Sequence, residues 1–91
     1  MGLNIVVETV GGSEHPTWKS VRHGPDRDLA AIIKSLPSAQ TTDFEGDLLL
    51  RPVDFVLWKT AAPNEPEAKS RYLELIGILE MEPHYWLHLS Y

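Results

Sequence analysis

Apolar residues recur along this chain with two different periods, and the change of period marks the elements. Leu3 to Val10 is rich in β-branched side chains (Ile5, Val6, Val7, Thr9, Val10) and predicts a strand. Gly11-Gly12-Ser13 then reads as a turn. Thr17 to Arg22 can return as a second strand, and Pro16 makes any hairpin loop longer than two residues. Gly24-Pro25-Asp26-Arg27-Asp28 opens a helix, because proline in the first turn loses no hydrogen bond and aspartates suit the positive end. Leu29, Ile32, Ile33 and Leu36 follow on one face, and Pro37 stops the helix, which is expected over about 25–36.

Residues 38–46 are polar and read as a loop. Asp47 to Arg51 holds three consecutive leucines and predicts a buried strand. Val53 to Thr60 fits two readings. Its β-branched and aromatic content favours a strand. As a helix it has Pro52 first and Asp54 in the first turn, with Val53, Val56 and Leu57 inward and Phe55 and Trp58 outside. Asn64 and Glu67 have the spacing of a capping box. Ala68, Tyr72, Leu75, Ile76 and Leu79 then form a helical stripe, for a helix of about 65–81 with Glu67 and Arg71 able to pair on its outside. Gly77 sits inside that stretch and suggests a close neighbour. Pro83 ends it. His84 to Tyr91 alternates, with Tyr85, Leu87, Leu89 and Tyr91 on one face and His84, Trp86, His88 and Ser90 on the other.

These elements predict one domain over residues 1–91 of the α+β (or α/β) class. Two main helices would pack on a sheet of four to five strands whose order the pattern does not fix. If the strands flanking the second helix were parallel neighbours, their crossover would be right-handed.

Charge narrows the function. The formal net charge is −5. Residues 1–42 are balanced, so the whole imbalance lies in residues 43–91. The loose basic cluster Lys19, Arg22 and Arg27 has acids beside it, which disfavours nucleic acid as a partner. With no cysteine there is no disulfide framework, thiolate metal site or cysteine nucleophile. No apolar run is long enough to span a membrane, and the start lacks a basic signal-like region, so a soluble, cytoplasmic protein is expected.

The candidate chemistry is sparse. His84 and His88 have metal-ligand spacing for a helix, but on a strand they stand ~13 Å apart and cannot share an ion, so no metal is expected. His15, His23 and His88 form the candidate polar site: His15 and His23 lie near Glu14 and Asp26, and a His–carboxylate pair can orient a base. No nucleophile motif accompanies them and no phosphate loop is present, so no catalytic residue and no cofactor is assigned. Asp43, Glu45, Asp47 and Asp54 lie close together, opposed by Arg51 alone. If extended, the first three stack on one face, which suits a divalent cation, a basic protein partner or simply solvent. Trp58 and Trp86 are large amphipathic anchors of the kind found in interfaces or small cores.

The reading these features favour is a non-catalytic protein-interaction or regulatory (accessory) module, of the inhibitor or immunity kind. Its contacts would be Asp43, Glu45, Asp47, Asp54, Trp58 and Trp86, its partner a basic protein or a second copy. The alternative is a small enzyme or ligand-binding protein with a histidine-containing site at an oligomer interface.

Overall fold

The computed structural model describes residues 4–19, 26–37, 39–44 and 46–90. Seven elements follow in order: β1 (Asn4–Thr9), α1 (Asp26–Ser35), β2 (Ala39–Phe44), β3 (Asp47–Pro52), α2 (Phe55–Thr60), α3 (Pro66–Met81) and β4 (Tyr85–Ser90). The strands form one sheet in the order β1-β4-β3-β2, and every neighbouring pair is antiparallel. The class is therefore α+β, and the conditional parallel crossover does not occur. The α2–α3 segment connects two antiparallel neighbours instead.

The period-2 pattern sorts the sheet into two faces. Ile5 and Val7 of β1 and Leu87 of β4 are buried together against the helices. Val6, Glu8, Trp86 and His88 occupy the opposite face and are half-buried. Leu29 and Ile33 bring α1 into the same core, with Ile32 and Leu36 at its margin. The whole predicted stripe of α3, Ala68, Tyr72, Leu75, Ile76 and Leu79, is buried there too. Trp18 closes the core from the loop after β1. Its indole N–H donates to the Ile5 carbonyl at 2.9 Å, and the Arg71 guanidinium lies 3.9 Å from its ring centroid.

Five expectations need correction. Residues 53–60 are not a strand: Asp54 caps α2 by accepting from the Leu57 N–H at 3.0 Å. This helix buries Trp58 and half-buries Phe55, while Val53, Val56 and Leu57 stay outside, the reverse of the helical alternative. Residues 39–44 are a strand rather than a loop. With Ala39, Gln40, Thr41 and Asp43 exposed, they show no apolar alternation, and Thr41 and Thr42 suit the pleat. The second strand at 17–22 is not formed over 17–19, the rest lying outside the described residues. Only an isolated bridge, Glu8 to Glu14, extends the sheet beyond β1. The α3 cap is Glu65, which accepts from the Glu67 and Ala68 N–H groups, with Pro66 in the first turn. Finally, a Cβ on Gly77 would meet nothing within 4 Å, so no close neighbour explains that glycine. Pro25 and Tyr91 lie outside the described residues.

Candidate functional site

The two described histidines of the candidate polar site lie on opposite faces of the sheet. His15 is buried on the helix side. Its Nδ1 accepts from the Thr17 and Trp18 N–H groups, both at 3.2 Å. A ring nitrogen that receives two backbone donors carries no proton, so Nε2 holds the hydrogen and donates to Glu82 at 2.7 Å. Tyr85 packs edge-on against the ring at 4.9 Å. Both ring nitrogens are thus committed to folding the loop. His88 lies on the far face with its Nδ1 3.1 Å from a Glu8 carboxylate oxygen. These residues form two separate His–carboxylate pairs, and His23 is outside the described residues.

The acidic candidates also divide. The chain reverses between the paired Phe44 and Asp47, where Gly46 takes a φ of 87° that a side chain would resist. Asp43 pairs with Leu48 and Asp47 with Phe44. Asp43 and Asp47 therefore stand in neighbouring rows of a hairpin ladder, not along one extended strand. Asp43 is exposed, Asp47 is the first residue of β3, and Glu45 is outside the described residues. Asp54 is spent on the α2 cap. Trp58 is fully buried and presents no surface, and the Tyr72 hydroxyl donates to its carbonyl at 2.6 Å. Burial pushes the Tyr72 hydroxyl up to about 12. Among the described residues no group of three or more potential ligands could hold a metal ion, and no helix is long and apolar enough to cross a membrane.

Trp86 is the predicted contact residue that reaches a concave surface. With Gln40, Arg51, Pro52, Val53, Phe55 and Pro83 it lines an open groove of about 640 Å³. Arg51 was legible only as a charge opposing the acids, yet it organises this end of the molecule. Its guanidinium is buried and donates from Nη1 to the Tyr85 and Glu82 carbonyls and from Nη2 to the Leu79 carbonyl. The Leu79 and Glu82 carbonyls belong to the C-terminal end of α3, where a cation also suits the helix dipole, and the Tyr85 carbonyl to the start of β4. Burial lowers the Arg51 pKa from its ordinary value, but a guanidinium keeps its charge at neutral pH. An arginine between a leucine run and a proline is the one sequence sign of such a residue. Compared with protein-family models, curated proteins and solved structures, the chain matches none of them.

Proposed function

We propose that this chain is a non-catalytic interaction module that takes up a strand of a basic protein partner along the free edge of β2. The observation that carries this reading is the state of the two sheet edges. The β1 edge is occupied, because the chain folds back on it and the His15 N–H donates to the Val7 carbonyl at 2.8 Å. The β2 edge has no partner among the described residues. Natural edges are guarded by charged side chains, lysine above all, by proline or by a bulge, and the one charge on β2 is Asp43. Ala-Gln-Thr-Thr-Asp-Phe contains no lysine or proline, and its register to β3 is unbroken over six residues.

The hairpin geometry says which groups are free. With a two-residue turn, the closing pair Phe44 and Asp47 exchanges both of its backbone hydrogen bonds. Thr42 and Gln40 then also bond inward, and Thr41 and Asp43 turn their N–H and C=O outward. A strand added there gains backbone bonds, and the exposed Asp43 favours a basic one.

The test is affinity capture by the intact chain, comparing wild type with Thr41→Pro and Asp43→Lys. Thr41→Pro removes an outward donor and is expected to weaken a partner about tenfold. Asp43→Lys should weaken it mainly at low salt. A partner retained equally by both variants would refute docking at β2.

A further inference from the structure

We propose that the groove beside Arg51 binds a small organic acid, with its carboxylate on the guanidinium and its planar apolar body between Trp86 and Phe55. This site is independent of the β2 edge. A guanidinium carries five N–H donors. Arg51 uses three, all on backbone carbonyls, so Nε and one Nη2 hydrogen have no partner among the described residues. The Trp58 indole nitrogen is the one fully buried side-chain nitrogen or oxygen without a partner among the described residues, so the unpartnered Arg51 Nε keeps some access to solvent. Arg51 is only 7% exposed, and it lines the groove.

No carboxylate among the described residues satisfies this cation. Glu82 is bound to His15, Asp54 to the first turn of α2, and Glu8 to His88. None of them lines the groove, whose other polar side chain is the neutral Gln40. A paired Nε–H and Nη–H present the fork that matches the two oxygens of a carboxylate. Around this fork stand Trp86, Phe55, Pro52, Pro83 and Val53, with the guanidinium carbon 5.8 Å from the Phe55 ring centroid. One charged, directional contact within apolar walls is how small-molecule sites are built, and 640 Å³ falls within their usual ~300–1,000 Å³.

The experiment is an NMR titration of the full chain with phenylacetate and with its neutral isostere phenylacetamide. Phenylacetate is expected to shift the Trp86 indole N–H saturably with a Kd on the order of 1 mM, and phenylacetamide to bind at least about tenfold more weakly. Arg51→Lys keeps the charge but loses the fork, and is expected to abolish the shift. That variant also loosens the end of α3, so Gln40→Glu provides a second test. It leaves the Arg51 bonds intact, adds a negative charge to the groove, and is expected to weaken phenylacetate about threefold. No saturable shift at tens of millimolar, equal binding of the amide, or wild-type affinity in Gln40→Glu would overturn the proposal.

Discussion

Two buried side chains show how single residues hold this fold. The Tyr72 hydroxyl donates to the Trp58 carbonyl deep in the core, and its neutral form is favoured there. With a folded pKa of about 12 against an ordinary 10, this group contributes stability that is complete below pH ~10. That contribution falls away as pH rises from about 10 to 12. Two pKa units correspond to roughly 3 kcal/mol. Tyr72→Phe should lose about 1 kcal/mol at pH 8, because the Trp58 carbonyl keeps a second donor in the Ala61 N–H. Urea midpoints taken from pH 8 to 11.5 should therefore converge and then cross near pH ~11, with Tyr72→Phe the more stable above it, and curves that stay parallel would contradict the assignment. For His15 the prediction concerns the tautomer. Long-range ¹⁵N–¹H correlation should find the proton on Nε2, and a protonated Nδ1 in the neutral ring would mean that the loop is held differently. His15→Ala leaves the Trp18 N–H buried and unpaired, at about 2 kcal/mol, whereas His15→Asn keeps an acceptor near it and should lose less.

At the scale of elements, α3 offers the clearest gain. Gly77 lies in its interior, and a methyl group there would meet open space. Gly77→Ala should stabilise by about 1 kcal/mol and raise Tm by roughly 4–8 °C. An unchanged or lowered melting temperature would show a constraint at that position. The contrast with the sequence reading is instructive here. The stripe of α3 was plain because an alanine and four large side chains repeat over about four turns and all face one core. Its cap was misplaced because Asn64 and Glu65 are both acceptors, and only the backbone path decides between them. In α2 the short window Phe55–Thr60 holds strand-forming residues, and the capping bond of Asp54 with the burial of Trp58 overrides that preference. β2 escaped notice for the opposite reason. Hydrophobic alternation reveals a strand only when one face is covered, and Gln40, Thr41 and Asp43 are exposed. The groove was invisible for a related reason: Gln40, Arg51, Phe55 and Trp86 come from four elements, and only the β4–β3–β2 order brings them together.

For the whole molecule, the layered arrangement makes protection from exchange uneven in a way that tests the free edge. The helices cover β1 and β4, where Ile5, Val7 and Leu87 are buried, while the β2–β3 hairpin carries an exposed Leu48 and an exposed β2. Amides inside the β1–β4 pair should exchange at or near the global unfolding free energy. In β2, Thr42 is expected to be protected through its inward bond, whereas Thr41 and Asp43 should exchange orders of magnitude faster. Hydrogen exchange by NMR at two protein concentrations checks this pattern residue by residue. Alternating protection that is independent of concentration means an edge open to a partner strand. Protection of Thr41 and Asp43 that rises with concentration would instead mean that copies of the chain pair along β2. The acidic edge would then be a seam between identical subunits, and the heterologous partner would have to bind elsewhere.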